Sequence, residues 1–398
     1  MRLAVIGAGV VGVTTAFELL QDGHEVTVFE RCSTAAEGAS FANGGLLAPE
    51  WAAALASDRW TRKSLPTDDR WWSRFRRTPV PVGMDPGPSI LALARLGSER
   101  LDALCDQLEL APDSHQSMMV VWREAHENEH AERLQRLVKH RGGECHIMNP
   151  EQARSLELAL NPETDLAGVL VLPQAWSVNC RQFTLMIRTR AQQAGCRFEF
   201  RRPVSLTRSG HRFQLVDESG QELDETFDGV VVCAGSSSAA LLRSAGIELP
   251  LENWLGFGLN AAVRESMDAP SAVVQDLKYQ VSISRLGTRI RVTSPLQRDN
   301  GTDQATATYK RLQSVLDDWF PGAIRRGQTG SIQQWRSEVA CLPDGLPVIG
   351  ATRSSGIWVN TGHGNHGWVM SCSSARLLAD QVAGRDSEID VGPYRVDR

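Results

Sequence analysis

The segment Leu3-Ala4-Val5-Ile6 runs into Gly7-Ala8-Gly9-Val10-Val11-Gly12, then a helix-like stretch, then Val26-Thr27-Val28-Phe29-Glu30. A G-x-G-x-x-G turn set between a strand and a helix, with a second strand ending in an acid, constrains the fold more than any other feature of the chain. Gly7 permits the tight turn out of the strand, Gly9 lets a pyrophosphate approach the backbone, and Gly12 lets the helix pack closely on the sheet. The helix start, at Val10 and Val11, offers unpaired N–H groups and a positive dipole end to phosphate oxygens. Glu30 lies 18 residues after Gly12, where a carboxylate accepts from ribose hydroxyls. An acid there suits a free 2′-hydroxyl, hence FAD or NAD rather than NADP. A purely structural glycine turn is the alternative to a dinucleotide site.

The chain has 398 residues, long for one core, and suggests two interleaved domains. A net charge of −5 argues against nucleic acid as the main partner. Arg59, Arg62, Lys63, Arg70, Arg74, Arg76 and Arg77, interleaved with Trp60, Trp71, Trp72 and Phe75, form a basic aromatic stretch. It reads as a solvated face, with a peripheral membrane or subunit contact as the alternative. No run approaches the roughly 20 apolar residues of a spanning helix, and the glycine-interrupted first strand does not read as a secretory signal. The eight cysteines are scattered with no C-x-x-C pair, which points to reduced thiols and a cytoplasmic protein, with peripheral attachment to the inner face of the membrane as the variant. No metal site is expected, since the nine histidines lack ligand spacing.

Helical periodicity is expected from Ile90 to Leu108, from Glu127 to Arg141, from Phe183 to Ala194 and from Ala305 to Trp319. Gly229-Val230-Val231-Val232-Cys233-Ala234-Gly235 is a buried strand entering a second glycine turn, and Gly356 to Asn360 enters a third at Thr361-Gly362-His363-Gly364. Strands at 259–263, 281–283 and 289–292 have no helices between them, so an antiparallel second domain is expected.

Several separated motifs agree on one family. Val5-Ile6-Gly7-Ala8-Gly9-Val10-Val11-Gly12, Ala42-Asn43-Gly44-Gly45, Val231-Val232-Cys233-Ala234-Gly235, Pro343-Asp344-Gly345-Leu346-Pro347-Val348-Ile349-Gly350 and Thr361-Gly362-His363-Gly364 with Gly367-Trp368 occur in the family's order along the whole chain. On these the chain resembles the D-amino-acid-oxidase-like FAD enzymes, most closely their bacterial D-amino-acid dehydrogenase branch. The resemblance implies an α/β fold, with a Rossmann-like FAD-binding domain (1–50, 165–250 and 332–398) interleaved with an α+β substrate domain on an antiparallel sheet (51–164 and 251–331). It implies one FAD, with Gly7, Gly9, Val10, Val11 and Gly12 at the pyrophosphate, Glu30 and Arg31 at the adenosine, and Val204 at the adenine. Ser40, Asn43, Gly44, Gly45 and Leu46 would line the flavin side of the pyrophosphate, with Ala234 and Gly235 at the middle turn. Gly362, His363, Gly364 and Gly367 would bring N–H groups and a helix start to the pyrimidine end of the flavin, where reduced flavin is negative.

The implied activity is oxidative deamination of an amino acid, a D-amino acid favoured, by hydride transfer from Cα to flavin N5. The imino acid then hydrolyses to a 2-oxo acid and ammonia. The electron acceptor is left among a quinone, a partner protein and oxygen. The alternatives are oxidation of a secondary or cyclic amine, and an FAD-binding subunit of an electron-transfer complex. One position departs from the family pattern: the Arg usually placed four residues before the Pro of P-D-G, a clamp for the substrate carboxylate, is Val339. Arg336, Tyr279 on an expected Lys278-Tyr279-Gln280 strand, and His366 are the remaining substrate-face candidates. Trp51, Trp176 and Trp335 are candidates for an aromatic wall, and Cys341 reads as a packed thiol rather than a flavin attachment.

Overall fold

The computed structural model describes residues 1–41, 43–61, 85–209, 212–299, 303–325 and 331–398. Most of the basic aromatic stretch, 62–77, and Ala42 of the Ala42-Asn43-Gly44-Gly45 motif lie outside the described residues.

Six strands form the smaller sheet, in the order Val348–Ala351, Ile357–Thr361, Gly229–Val232, Arg2–Ile6, Glu25–Glu30 and Arg197–Phe200. The last five run parallel, and Val348–Ala351 returns antiparallel at one edge. Parallel strands covered on both faces read as unbroken apolar runs, and Gly229–Val232 is buried throughout. One face is covered by helices Val10–Gln21, Gly87–Leu108, Cys180–Gln193 and Ser371–Ala383, whose apolar residues join Leu3, Val5, Val28 and Val231 in one core. The other face carries the hairpin Ser205–Ser209/Arg212–Val216 and the helix Ser238–Ser244, through Leu206, Leu215 and Leu242.

The larger sheet runs Gln297–Arg298, Glu252–Ala262, Arg289–Thr293, Val281–Leu286, Val273–Asp276, Ser114–Trp122, Gly168–Val178 and Leu46–Leu47. Ile332–Cys341 pairs with Glu252–Ala262 along ten residues, from Ala261 opposite Ile332 to Glu252 opposite Cys341. The expectation of an antiparallel sheet needs one correction: Val273–Asp276 pairs parallel with Ser114–Trp122. Gly168–Val178, which falls within the segment expected to hold the cofactor, hydrogen-bonds into this larger sheet. One face packs on the helix Gln304–Trp319 through Phe257, Leu259, Leu312, Val315 and Trp319.

The four expected helices form at Gly87–Leu108, Asn128–His140, Cys180–Gln193 and Gln304–Trp319. Tyr279 is a further correction: Leu277 to Gln280 form a turn between two strands, with Gln280 at a left-handed φ of 52°. Among the described residues no helix is long and apolar enough to cross a membrane.

Helix Val10–Gln21 is locked from behind by charge. The Glu18 carboxylate, fully buried, accepts from Arg100 at 2.7 and 2.9 Å and from Arg376 at 2.7 Å. Arg376 also reaches Asp22 at 2.5 Å and Asp380 at 3.0 Å, whereas Glu18 is the carboxylate bound by Arg100. Removing one partner of a buried ion pair costs about 3–5 kcal/mol because the other charge stays behind. Glu18→Ala is therefore expected to lower the unfolding free energy by about 3–5 kcal/mol, read by urea denaturation. A loss below about 1 kcal/mol would show that water solvates Arg100 in the native state.

Candidate active site

The three glycine turns meet. Ile357–Thr361, Gly229–Val232 and Arg2–Ile6 are adjacent and parallel, with Ile6 opposite Val232 and Val232 opposite Val359. Their carboxyl ends therefore deliver Gly7, Ala234-Gly235 and Gly362-His363-Gly364 to the same edge of the sheet, where open α/β sheets bind ligands. At the first turn, Gly7 adopts φ 106°, and a Cβ there would lie 2.6 Å from the Cys233 carbonyl oxygen. A Cβ on Gly12 would lie 1.9 Å from the Gly7 carbonyl oxygen. Gly12 is thus a packing residue and does not line the cavity described next, unlike Gly7, Gly9, Val10 and Val11.

A cavity of about 830 Å³ runs along this edge. At one end it is bordered by Glu30, Arg31 and Val204, and across the turns by Ser40, Ala234 and Gly235. At the other end Asn43, Gly44, Gly45 and Leu46 face Gly362, His363, Gly364, His366 and Gly367. Glu30 accepts from the backbone amides of Ala8 at 2.7 Å and Cys32 at 2.8 Å, which fixes its carboxylate at the end of the second strand. The Ser40 hydroxyl accepts from the Val10 amide at 3.0 Å, capping the helix from a distant loop and leaving its next amides unpaired.

The loop 43–46 is held by its carbonyls. Arg291 Nη1 donates to the Asn43 oxygen at 3.1 Å, Ser284 Oγ to Gly44 at 3.0 Å, and Trp368 Nε1 to Gly45 at 3.1 Å. The Val178 amide adds a bond to the Gly45 oxygen at 2.8 Å. With the carbonyls drawn outward to the surrounding framework, the loop presents its cavity side at close backbone range.

Past this loop the cavity opens onto the larger sheet. Directly opposed residues on paired strands share a face, and Ser337 opposes Gly256, Thr293 opposes Ser282, and Ser282 opposes Gln275. All five line the cavity together with Trp335 and Val339. Trp51, buried behind them, donates from Nε1 to Gln275 Oε1 at 3.1 Å. These polar residues were missed in the sequence, although the alternation Val281-Ser282-Ile283-Ser284 carried the signal.

The substrate-face candidates separate. Arg336 opposes Phe257, whose ring packs edge-on against Tyr309 of the helix Gln304–Trp319 at 5.6 Å. Arg336 therefore borders the cavity along its strand but shares the face turned toward that helix. Tyr279 sits on its turn, 36% exposed, and is not among the cavity-lining residues. Trp176 is likewise outside the lining and 42% exposed. His366 lines the cavity, half-buried, in the short helical turn Gly364–His366.

His363 is fully enclosed, and burial pushes its imidazole down to about 3, so it is neutral. Among the described residues its Nε2 is buried without a hydrogen-bond partner, and the His363 backbone forms an antiparallel bridge with that of Cys341. A buried polar atom without a partner is costly unless a ligand completes it. That orphaned nitrogen, the backbone cradle at Gly7 and the pinned loop together fit an extended dinucleotide carrying a flavin.

Residues 2–381 match the family described as FAD dependent oxidoreductase. The chain belongs to this family. FAD is accordingly its cofactor, and the chain is an FAD-dependent oxidoreductase. The chain is 32% identical over 423 residues to a D-amino acid dehydrogenase of Cereibacter sphaeroides, covering 100% of this chain and 95% of that protein. A D-amino acid dehydrogenase of Bradyrhizobium diazoefficiens is 29% identical, covering 100% and 99%. The glycine oxidase structure from Geobacillus kaustophilus superposes with a TM-score of 0.77 at 19% identity, covering 100% of this chain and 98% of that one, a likeness of fold.

The neutral His363 sets a pH dependence. Unfolded, it binds a proton near 6.5; folded, only near 3. Between these values the unfolded state holds more protons, so stability falls as pH falls, by up to about 1.4 kcal/mol per pH unit from this residue. In the FAD-free protein, His363→Asn is expected to reduce the stability difference between pH 7 and pH 5 by about 2 kcal/mol, measured by urea unfolding at each pH. An unaltered difference would mean that the imidazole takes up its proton in the folded state.

Proposed function

We propose that this chain oxidatively deaminates an amino acid, D-amino acids first, using FAD. The observation that carries the reading is that the three glycine turns share one sheet edge and the cavity they line continues onto the polar face of a second sheet. The substrate class is supported by the relatives named D-amino acid dehydrogenase, matched over the full length of the chain. Bound FAD supplies the two-electron acceptor for the substrate α-hydrogen. The substrate gives up a hydride from Cα and a proton from nitrogen, and water hydrolyses the resulting imino acid to a 2-oxo acid and ammonia.

Residue roles follow the geometry. Gly7, Gly9, Val10 and Val11 would hold the pyrophosphate with backbone amides, and Glu30, Arg31 and Val204 the adenosine. Ala234 and Gly235 would lie under the middle of the cofactor. Asn43, Gly44, Gly45 and Leu46 would face the flavin from one side, and Gly362, His363, Gly364 and Gly367 from the other. In this division 1–50, 165–250 and 332–398 would hold the cofactor and 51–164 with 251–331 the substrate wall, except that Gly168–Val178 and Ile332–Cys341 pair into the larger sheet and so belong with that wall. Gln275, Ser282, Thr293 and Ser337 would orient the substrate's polar groups against the sheet, and Trp51 and Trp335 would exclude water. None of the eight cysteines forms a disulfide, which supports a location in a reducing compartment.

Val339 favours a second reading. It opposes Trp254, on the cavity face where a guanidinium would grip a carboxylate. The Lys or Arg residues bordering the cavity, among the described residues, are Arg31, Arg202 and Arg336, the last with its side chain on the helix-facing side of its strand. A secondary or cyclic amine, less dependent on that grip, is thereby kept as the alternative.

Anaerobic mixing with a panel of D-, L-, cyclic and N-methylated amino acids distinguishes the readings by loss of the oxidised flavin band. D-amino acids are expected to bleach it; bleaching by cyclic or N-methyl amines alone would move the assignment to the alternative. If none of the panel reduces the flavin, amine oxidation is wrong. Arg336→Ala is expected to leave the reduction rate within about twofold, because its side chain shares the helix-facing side of the strand; a tenfold or greater loss would return it to the site.

A further inference from the structure

Arg291 is a buried cation without an anion among the described residues. It lies on the strand Arg289–Thr293, two residues from cavity-lining Thr293 and on the same face, opposite Asn260 and Ser284. It is 7% exposed. Its Nη1 donates to the Asn43 carbonyl at 3.1 Å, and its Nε is buried with no partner among the described residues. Among the described residues it forms no ion pair. The titratable groups facing it are the Cys180 thiol, pushed up by burial to about 12 and so uncharged, and two further cations, Arg181 and Arg289. Burial lowers Arg291 itself to about 10, which leaves it charged at neutral pH.

An uncompensated buried charge is expensive to keep, and a single carbonyl is weak compensation. A brace for the loop would need only a neutral donor at Asn43. The opposite side of that loop, Asn43 to Gly45, borders the cavity. A positive charge in a poorly screened interior favours negative charge developing nearby, over distances that water would damp. Reduced flavin is the anion this site would acquire.

We propose that Arg291 is a positioning residue that keeps a positive charge behind the loop 43–46 and so shifts the two-electron equilibrium of the bound FAD toward its reduced, negatively charged form. This rests on the assignment of FAD to the cavity. It is independent of which amine is oxidised.

The test uses the FAD-loaded enzyme with no amine present. Arg291→Gln keeps a donor for Asn43 and removes the charge; Arg291→Lys keeps the charge. The readouts are flavin reduction in equilibrium with a reference dye, and sulfite binding, which places negative charge on the flavin. Arg291→Gln is expected to retain FAD, to lower the reduced-to-oxidised ratio about tenfold at a fixed dye potential, about 30 mV for a two-electron couple, and to weaken sulfite binding by a similar factor. Arg291→Lys is expected to stay within about twofold of the wild type. Arg291→Met, with the same expected fall, replaces the Gln variant if that one does not fold. Unchanged equilibria in the charge-free variant, or an equal fall in Arg291→Lys, overturn the proposal. So does loss of FAD from both variants with the fold retained, which would make Arg291 a brace for the loop alone. A wild-type protein that binds no FAD would overturn the cofactor assignment before any variant is compared.

Discussion

The contact on which the site depends is the approach of one backbone to another where a side chain would collide. The helix Val10–Gln21 begins directly above Gly7, so near that a methyl group on Gly12 would overlap the Gly7 carbonyl oxygen at 1.9 Å. Gly7 in turn lies against the carbonyl of Cys233 at the end of the neighbouring strand. This packing brings the helix start, with its unpaired amides, level with the second glycine turn. Glu18 then fastens the same helix to Arg100 and Arg376 on two other helices, so the amides at its start are fixed from both ends.

The flavin side of the cavity is built differently, by tying rather than by close packing. Four donors from four elements, Arg291, Ser284, Trp368 and Val178, hold the carbonyls of three successive residues. Trp368 belongs to the third glycine segment and also packs edge-on against Phe183 at 5.2 Å, so the loop, that segment and the helix Cys180–Gln193 are set relative to one another. Such a framework suits hydride transfer, where the reacting carbon must be held at a short distance from its acceptor.

How much of this was legible in the sequence depends on what each feature rests on. The glycine turns could be read because a tight backbone approach excludes every other residue type, and their spacing after apolar strands gave the element on either side. The helices followed from apolar periodicity, while the caps that start two of them, Asn179 and Asp303, emerged only from the structure. Arg336 lies three residues from Val339, an odd step that puts it on the opposite face of a regular strand, so it could reach the substrate only if the register or backbone path of Ile332–Cys341 differed. The sequence left that path open, and the pairing of Arg336 with Phe257 shows the register to be regular. Tyr279 failed for a local reason: Gln280 takes a left-handed conformation that no residue type announced. The parallel pairing of Val273–Asp276 with Ser114–Trp122 joins segments some 150 residues apart, beyond any local signal.

The strand Ile332–Cys341 pairs for its full length with the larger sheet, yet its last residue bridges to His363 in the third glycine segment. The two sheets are thus joined by a continuous hydrogen-bonded strap at the very place where cofactor and substrate would meet. A hinge that swung one sheet from the other would tear this strap and misalign both walls together. A path for small molecules along the rim of the cavity would leave this strap, and with it both walls, in place.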